Sequence, residues 1–533
     1  MVTTVLALNL ASAFIRGGAR VSVLGVTLQT PSFRISLLLV AVWLGARFLP
    51  PHKERFRPSV VAPFLRARIP ELIVGVLFLI GLVLRMSGIG FGEPLILHPD
   101  EHQVAGVALT ILKAGSLAVP VPYVYPTVFH YLLLPAFGLL YVKGKSVGLW
   151  SSLADIDRDT FQFYELARAH SAVLGALTIL LTFALARRMW PGTRGRWAGA
   201  IAAAYMTFAF NHVKESHHGV TDAALTFFIV LAFLAIVRAF QLGSRTAYAL
   251  AGFAVGIACA TKYSAVPLVA VIVAAHILDR SRWTDWRRLA VAVAAIPVGF
   301  FTGYPYALLN WPPFLEHLGK ISSYSGSRAF DPDARFQMIV KYAMESGFGA
   351  IFTLTFAVAA TVAVFRRRAM EALVVVFTVV ALSLLSKTAL PFYARYLLPI
   401  MPPAAGLVGA LVVESADWLR RAAGARGRVL VPAAAAAAVV LLVGGQARES
   451  FAFVRYLNSP DTRVQAYNHI LKYVPEGSTV ASEEPYLKLP PAYKFLRWTP
   501  LHSHEIDEFS RSGVTVLVLS SDRDAGARGV ETE

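Results

Sequence analysis

The chain has 533 residues, of which 56% are hydrophobic and 15% are charged. A soluble domain carries about a quarter charged residues, so this composition excludes a soluble protein and predicts a polytopic membrane protein. The formal net charge of +18 would favour nucleic-acid binding on a soluble surface, but most of it lies in short loops between apolar runs. We therefore predict no nucleic-acid partner. Cys259 is the one cysteine in the sequence, which excludes an intramolecular disulfide.

Residues 1–69 form an N-terminal segment with a possible membrane helix and a basic cytoplasmic loop. The apolar run 2–15 precedes its first basic residue, Arg16, whereas a cleaved signal peptide has the reverse order, so we expect no cleavage. A second apolar run, 35–49, either crosses the membrane or lies in its interface.

Eleven further apolar runs predict an all-α polytopic membrane protein with about 11 to 13 transmembrane helices. Several of these runs are short, which is common where a bundle encloses a polar cavity. Six short loops between them hold 23 Lys or Arg residues and four Asp or Glu residues, and such loops are retained in the cytoplasm. The apolar runs are 70–89, 161–186, 197–212, 222–237, 247–260, 262–278, 289–309, 346–365, 372–386, 391–413 and 429–445. The basic loops are 47–68, 187–196, 238–245, 279–288, 366–371 and 420–428.

One more apolar run, 127–142, does not fit this topology. If it crossed the membrane, every later basic loop would change sides, so we predict an interfacial or re-entrant helix within a long outer loop, 90–160. This loop contains Tyr125 among several prolines, a composition that suits a segment at the level of the lipid headgroups. The transmembrane domain then covers 70–445.

The outer loop begins with His98-Pro99-Asp100-Glu101-His102, directly after an apolar run. Ionisable residues at the mouth of a membrane helix usually face a water-filled cavity or a partner and have a function. The alternative interpretation is a helix cap, since Pro-Asp-Glu is also a good helix N-terminus. Asp222 opens a later span on the same predicted face and has the same two interpretations.

The remaining outer segments differ in character. Residues 446–533 are predicted to form a small extracytoplasmic α/β domain, with a helix at 461–473 capped by Asp461 and strands at 479–481 and 514–519. The polar loop 310–345 is interpreted either as a mobile segment that closes over substrates or as a solvated connector.

In their order along the chain, these features resemble the C-type glycosyltransferase superfamily, and within it the protein mannosyltransferase and aminoarabinose transferase branch. The resemblance covers about 70–445, and the run 461–478 is also similar to that branch. It is carried by the Asp-Glu pair, the Pro/Tyr-rich interfacial segment, the acid at Asp222, Thr261-Lys262-Tyr263-Ser264, and Tyr393-Ala394-Arg395-Tyr396-Leu397-Leu398-Pro399.

The resemblance implies a membrane glycosyltransferase that moves a sugar from a polyprenyl-phosphate carrier to an acceptor protein, lipid or glycan. It implies an active site on the extracytoplasmic face. The Ala/Arg/Gly-rich composition favours a high-GC bacterium, which would make the protein a multi-pass inner-membrane protein with a periplasmic site. The sequence offers no Gly-rich phosphate loop for a soluble nucleotide sugar.

Sugar transfer needs a base for the acceptor hydroxyl and cations for the leaving phosphate. We predict Asp100 as the base, with Glu101 orienting it or contacting the acceptor, and Asp222 orienting the acceptor or supporting a cation. Arg395 and Lys262 are expected at the phosphate, although snorkelling to the interface would also explain them. Tyr396 and Tyr125 are expected to line the substrate site, and Lys214 and Lys387 are weaker candidates for the phosphate.

Four histidines lie close to these acids in the sequence: His98, His102, His217 and His218. They have three interpretations, as ligands of a divalent ion, as contacts to the substrate phosphate, or as interfacial polar residues. Their spacing matches no recognised metal signature. We therefore predict no cofactor, assign His102 and His218 to substrate binding, and leave a divalent ion as an open alternative.

Two further functions compete with the transferase interpretation. A transporter or lipid flippase often has two repeated halves with broken helices, and no internal repeat is visible in this sequence. A non-catalytic subunit of a surface-polymer assembly machine would need neither Asp100 nor Arg395, so substitution of these two residues separates it from an enzyme.

Overall fold

The structure is a computed structural model that describes 68–119, 125–326, 332–387, 392–424, 427–484, 486–497 and 506–519. It also describes the backbone of an antiparallel hairpin formed by β1 (Arg20–Val23) and β2 (Val26–Gln29). The predicted N-terminal runs 2–15 and 35–49 lie outside the described residues.

Helices dominate the described chain, as the composition predicts. The first ten are α1 (Ile69–Met86), α2 (Val107–Ala114), α3 (Val128–Ser146), α4 (Phe161–Met189), α5 (Gly192–Phe208), α6 (Phe210–Glu215), α7 (Thr221–Leu242), α8 (Arg245–Cys259), α9 (Pro267–Leu278) and α10 (Trp286–Gly303). The others are α11 (Pro305–Leu309), α12 (Trp311–Gly326), α13 (Pro332–Tyr342), α14 (Ala350–Arg366), α15 (Ala369–Ser386), α16 (Met401–Ala423), α17 (Gly427–Leu457), α18 (Thr462–Tyr473) and α19 (Ile506–Arg511).

Within the described residues, six helical segments are long and apolar enough to cross a membrane. They are Ile69–Met86, Phe161–Met189, Thr221–Leu242, Ala369–Ser386, Ala394–Ala423 and Leu430–Tyr473, and three shorter apolar helical segments, Arg245–Cys259, Tyr263–Leu278 and Ala350–Arg366, accompany them. Large apolar side chains such as Phe365, which is 81% exposed, stand on the outer surface of the bundle. A multi-pass membrane protein explains this exposure, because lipid covers apolar surface that water would not.

The centre of the bundle is built around α4, which packs against α1, α5 and α7, while α16 packs against α5. The helices α8 and α10 form a second close pair. A Cβ added to Gly252 of α8 would lie 1.9 Å from the Ala292 carbonyl oxygen, and one added to Gly256 would lie 2.1 Å from that of Ile296. Gly252 and Gly256 are one helical turn apart, so they give α8 a flat face on which the backbone of α10 rests.

The basic loops at one end of the bundle meet each other, as the alternating charge pattern predicts. Arg194 and Arg368 both form ion pairs with Glu371 and Glu414, and Arg366 also pairs with Glu414. The candidate site residues lie at the other end, beside the start of α4 and the start of α7. The charge distribution therefore separates the two ends of the bundle.

One predicted loop is wrong in its local structure. The segment 310–345 contains α12 and α13, followed by a π-helical turn at Ala343–Gly347, instead of an irregular loop. Its small polar residues are compatible with helix when neighbouring apolar side chains such as Phe314 and Ile339 are buried. The run 127–142, predicted as an interfacial or re-entrant helix, does form a helix, α3, and α3 is not among the described helices that are long and apolar enough to cross a membrane.

Helices α16 and α17 extend beyond the predicted spans. The predicted span 391–413 begins with a 3-10 turn at Ala394–Ile400 that contains Pro399, and α16 then continues through the basic residues Arg420 and Arg421. The helix α17 continues past the predicted end at 445 to Leu457.

The C-terminal part folds as predicted from its pattern. Asp461 caps α18, since its side chain accepts a hydrogen bond from the Arg463 backbone N–H. The strands β3 (Thr479–Ser482) and β5 (Val516–Val518) lie at the predicted positions, and a third strand, β4 (Lys494–Arg497), was not predicted. All three are parallel in the order β4-β3-β5, and Ile470 of α18 is buried against this sheet.

Candidate active site

Four chain segments converge at the end of the bundle opposite the basic loops. The first is the turn that carries Asp100 and Glu101, which continues into a π-helical turn at His102–Gly106 and then α2. The second is the start of α7 with Asp222, the third is the turn after α8 with Lys262, and the fourth is the 3-10 turn that carries Arg395 and Tyr396.

The candidate base and a candidate phosphate ligand are bonded to each other. Arg395 Nη1 lies 2.7 Å from Asp100 Oδ2, and both side chains are mostly but not fully buried, with 16% and 24% of their surface exposed. The buried Arg395 Nε–H has no hydrogen-bond partner among the described residues. Arg395 therefore pairs with Asp100 through Nη1, while its buried Nε–H is left unpaired among the described residues.

The second acid and the second cation form a parallel pair. Lys262 Nζ donates a hydrogen bond of 2.8 Å to Asp222 Oδ1, and the Asp222 side chain is almost completely buried. Asp222 lies in the first turn of α7, where the helix dipole also favours a negative charge. Lys262 uses one of its three N–H groups in this bond.

Two tyrosines connect the two ion pairs. The Tyr396 ring centroid lies 6.0 Å from Lys262 Nζ and 5.9 Å from the Arg395 guanidinium carbon. The Tyr125 ring lies 5.3 Å from Lys262 Nζ. Burial and then the charges of Asp100 and Asp222 raise the pKa of the Tyr125 hydroxyl, so it stays protonated and able to donate a hydrogen bond.

Glu101 faces away from these residues into the protein. Its carboxylate accepts bonds of 2.7 Å from Arg168 Nε and 2.7 Å from Arg168 Nη2, and a third of 2.8 Å from the Gly219 N–H. Both charged side chains are fully buried. Burial alone would raise the pKa of Glu101, but Arg168 and the Gly219 N–H hold it below its usual value of 4.5. Glu101 thus has no exposed atom to offer an acceptor, and its contacts indicate that it holds the Asp100 turn against α4.

The predicted histidines divide into two groups. His102 Nδ1 lies 2.9 Å from the Tyr164 hydroxyl, so His102 contacts α4 instead of the two ion pairs. His218 stacks on His98, with ring centroids 4.1 Å apart, and Glu215 lies beside both. Burial lowers the pKa of His98 to about 4 and that of His218 to about 3, so both rings are neutral at neutral pH.

The weaker candidates form neither of the two ion pairs. Lys214 Nζ lies 3.8 Å from Glu215 Oε1, and Lys387 directly follows the end of α15. Tyr393 stacks near Arg395, whose guanidinium carbon is 4.8 Å from the Tyr393 ring centroid.

Arg168 and Glu215 contact the predicted residues, but the sequence interpretation did not single them out. Arg168 had a detectable signal, because an arginine inside the apolar run 161–186 needs a buried partner. The sequence signal of Glu215 was weaker, because an acidic residue in a polar outer connection often has no functional contact.

The arrangement brings two carboxylates, two cations and two tyrosines together at one mouth of the bundle. A carboxylate with 24% exposure can accept a proton from a hydroxyl, and cations with spare N–H donors can bind the oxygens of a phosphate. The buried Glu101–Arg168 ion pair holds the turn that carries Asp100 in place.

Part of the chain is similar in sequence to known proteins. Residues 124–312 match the model of the family described as dolichyl-phosphate-mannose-protein mannosyltransferase. An undecaprenyl phosphate-alpha-4-amino-4-deoxy-L-arabinose arabinosyl transferase of Pseudomonas paraeruginosa is 28% identical over 240 residues, which are 43% of this chain and 39% of the relative. A Pseudomonas fluorescens protein of the same description is 28% identical over 238 residues. The chain therefore matches 39% of the length of these relatives.

Solved structures extend the likeness to most of the fold. ArnT from Cupriavidus metallidurans, solved with undecaprenyl phosphate, is 15% identical to this chain and has a TM-score of 0.51. The two structures match over 86% of this chain and 95% of the ArnT chain. This overlap shows that the chain shares the fold of the Cupriavidus metallidurans protein. The apo oligosaccharyltransferase of Archaeoglobus fulgidus also shares this fold, with a TM-score of 0.51 and 12% identity over 80% of this chain and 65% of that chain.

Proposed function

We propose that this protein belongs to the C-type glycosyltransferase superfamily and moves a sugar from a polyprenyl-phosphate carrier to an acceptor on the extracytoplasmic face. The observation that carries the proposal is the pair of acid–cation contacts, Asp100–Arg395 and Asp222–Lys262, side by side at one end of a membrane bundle. The names of the curated relatives, which specify an undecaprenyl-phosphate sugar, support the donor class.

In the proposed reaction, an acceptor hydroxyl attacks the anomeric carbon of the sugar. Its proton passes to the Asp100 carboxylate, the new carbon–oxygen bond forms, and the bond from the anomeric carbon to the phosphate oxygen breaks. The polyprenyl phosphate leaves with the electron pair of that bond. Because one displacement occurs at one carbon, the anomeric configuration is inverted.

The two cations stabilise the leaving phosphate. Its negative charge grows as the glycosidic bond breaks, and donors already fixed near that position lower the barrier without reorganisation. Arg395 offers a planar donor group for two phosphate oxygens, whereas Lys262 acts as a compact point charge. The carrier's apolar tail would lie among the lipid-facing side chains of the bundle.

Binding of the donor also explains why the base is paired in this structure. The incoming phosphate competes with Asp100 for Arg395, so donor binding frees the Asp100 carboxylate to accept a hydrogen bond from the acceptor hydroxyl.

The experiment that tests the function uses purified protein in lipid vesicles with a panel of radiolabelled polyprenyl-phosphate sugars. Protein, lipid and glycan acceptors are supplied separately, and the release of polyprenyl phosphate is measured against vesicles without protein. We expect release with one donor class that depends on an acceptor. Movement of labelled carrier between leaflets without release of sugar would contradict the proposal and favour a flippase.

A further inference from the structure

Beside the two ion pairs lies a cluster of three side chains that the proposed reaction does not use: His98, Glu215 and His218. Each offers one ligand atom, and these atoms lie within 4.8 Å of one another. His98 comes from the first outer turn, Glu215 ends α6, and His218 lies in the connection to α7. Two distant segments of the chain are thus brought to one point.

Two atoms of this cluster are buried without hydrogen-bond partners. Glu215 Oε2 and His218 Nδ1 find no partner among the described residues, although the two side chains are 95% and 90% buried. Buried polar atoms are nearly always satisfied, so two unsatisfied atoms facing each other need an explanation. They are 3.6 Å apart, which is too long for a hydrogen bond.

That separation fits two ligands of one metal ion. In a tetrahedral zinc site with bonds of about 2.0 to 2.2 Å, ligand atoms lie about 3.4 Å from each other. The Glu215 and His218 atoms, 3.6 Å apart, already have about this spacing, and the His98 ligand atom lies within 4.8 Å of both. Two imidazoles and one carboxylate are a ligand set that zinc accepts with a fourth position left for water or another ligand.

A neighbouring cavity provides room for that fourth ligand. His98 and His218 both line a cavity of about 180 Å³, whose other walls include Phe91 and the end of α17 at Phe453 and Tyr456. The Asp461–Arg463 ion pair of the C-terminal domain also lines it. The cavity thus connects the cluster to the junction between the bundle and the C-terminal domain.

From this geometry we propose that His98, Glu215 and His218 form a binding site for one zinc-class divalent cation. The site does not depend on the proposed sugar transfer. It has one consequence for the neighbouring turn, because Asp100 N–H donates a long hydrogen bond of 3.3 Å to His98 Nδ1. Coordination by either His98 nitrogen replaces this bond, so occupancy of the site alters the turn that carries Asp100.

Metal binding is measured directly on the full-length protein in detergent. The protein is stripped with a chelator, exposed to Zn²⁺, passed over a desalting column and analysed for metal content. Affinity is then measured by calorimetric titration with Zn²⁺, and Co²⁺ is added in parallel because its visible absorption reports a tetrahedral environment. We expect one ion per chain and tetrahedral Co²⁺ bands.

The variants His218→Gln and Glu215→Gln remove one ligand each. We expect each to weaken Zn²⁺ binding by more than about 100-fold, since even the loss of an outer partner of a metal-bound histidine costs about 10- to 100-fold. His218→Cys supplies a different zinc ligand and should retain the ion, which separates loss of a ligand from loss of folding. His469→Gln, at an exposed position on α18, is the matched control and should bind Zn²⁺ like the wild type.

The result that overturns the site is equally direct. A wild-type protein that holds no Zn²⁺ after desalting, or ligand variants that hold as much as the wild type, would show that the three residues bind no ion. These readouts are metal content and absorption, so they stand whether or not the protein transfers a sugar.

Discussion

Arg395 Nη1 and Asp100 Oδ2 lie 2.7 Å apart, so the proposed base is bonded to the cation that is proposed to bind the leaving phosphate. One guanidinium group cannot serve both partners fully with the same N–H groups. Binding of the donor phosphate to Arg395 therefore changes the contacts of Asp100. A site in which the charged residues acted independently would not show this coupling.

The first prediction concerns the Arg395 side chain. Arg395→Gln should lower the turnover of the carrier-linked sugar by about 100- to 1,000-fold, the usual cost of removing one donor that stabilises developing charge. Arg395→Lys keeps the charge but lacks the planar guanidinium group, so its turnover should lie between those of the wild type and Arg395→Gln. Initial rates of polyprenyl phosphate release measure this order.

The control for that series is Arg455→Gln, which removes an exposed arginine from the last turn of α17. It should turn over like the wild type. If Arg395→Gln were as active as this control, Arg395 would not contact the leaving group.

The second prediction separates the roles of Lys262 and Asp222. Because Asp222 is almost completely buried and bonds to Lys262, we expect it to act by positioning this cation. Lys262→Met and Asp222→Asn should each raise the KM for the donor, and the double variant should be no worse than Lys262→Met alone. Additive losses in the double variant would instead show that Asp222 contacts a substrate independently.

The third prediction concerns the buried pair Glu101–Arg168. Glu101→Gln leaves a fully buried arginine without its counter-charge and should lower the free energy of unfolding by about 3–5 kcal/mol. The double variant Glu101→Leu with Arg168→Met removes both charges and should recover part of this loss. Unfolding in detergent, followed by temperature and by denaturant, measures both effects.

The same pair sets an expected pH dependence. Because the folded-state pKa of Glu101 lies below its usual value of 4.5, its contribution to stability is fully present above that value. The contribution is lost as the pH falls through the folded-state pKa. The stability difference between wild type and Glu101→Gln should thus stay constant from about pH 7.5 to about pH 5 and shrink at lower pH. A difference that already shrinks above pH 5 would contradict the lowered pKa.

The fourth prediction tests the close contact of α8 and α10. Gly252→Leu forces a side chain into the backbone of α10, where even a Cβ would lie 1.9 Å from the Ala292 carbonyl oxygen. Overpacked cores typically lose about 1–3 kcal/mol, and Gly252→Leu should lower the free energy of unfolding by more than this. Gly75→Leu is the matched control, since a Cβ at Gly75 meets nothing within 4 Å. Equal stability of the two variants would show that the helices are not packed as described.

Much of this fold could be predicted from the sequence because membranes limit the choices. Apolar runs and basic loops indicate spans and their order, and Asp461 at the start of a helical pattern predicted the cap of α18. Helix ends were less predictable, since α17 continues past 445 through the mostly polar residues 446–450 to Leu457, so the fall in hydropathy marks the end of the apolar run and not the end of the helix.

The charged residues that meet in the candidate site could be selected from the sequence, but the ion pairs that they form could not. Asp100, Asp222, Lys262 and Arg395 could be selected because charge near apolar runs is rare and has a cause. Which acid meets which cation depends on how α7, α8 and the 394–400 turn pack, and the sequence carries no local signal for that. The burial of Glu101 against Arg168 was missed for the same reason.

The most direct test of the central claim is the turnover of the carrier-linked sugar by the wild type and by Asp100→Asn in the same vesicles. Asp417→Asn, at a half-exposed position in α16, is the matched control. We predict that Asp100→Asn loses about 100- to 10,000-fold in turnover, the range for a missing general base, while Asp417→Asn and the folded fraction are unchanged. Equal turnover by wild type and Asp100→Asn would contradict the assignment of the base.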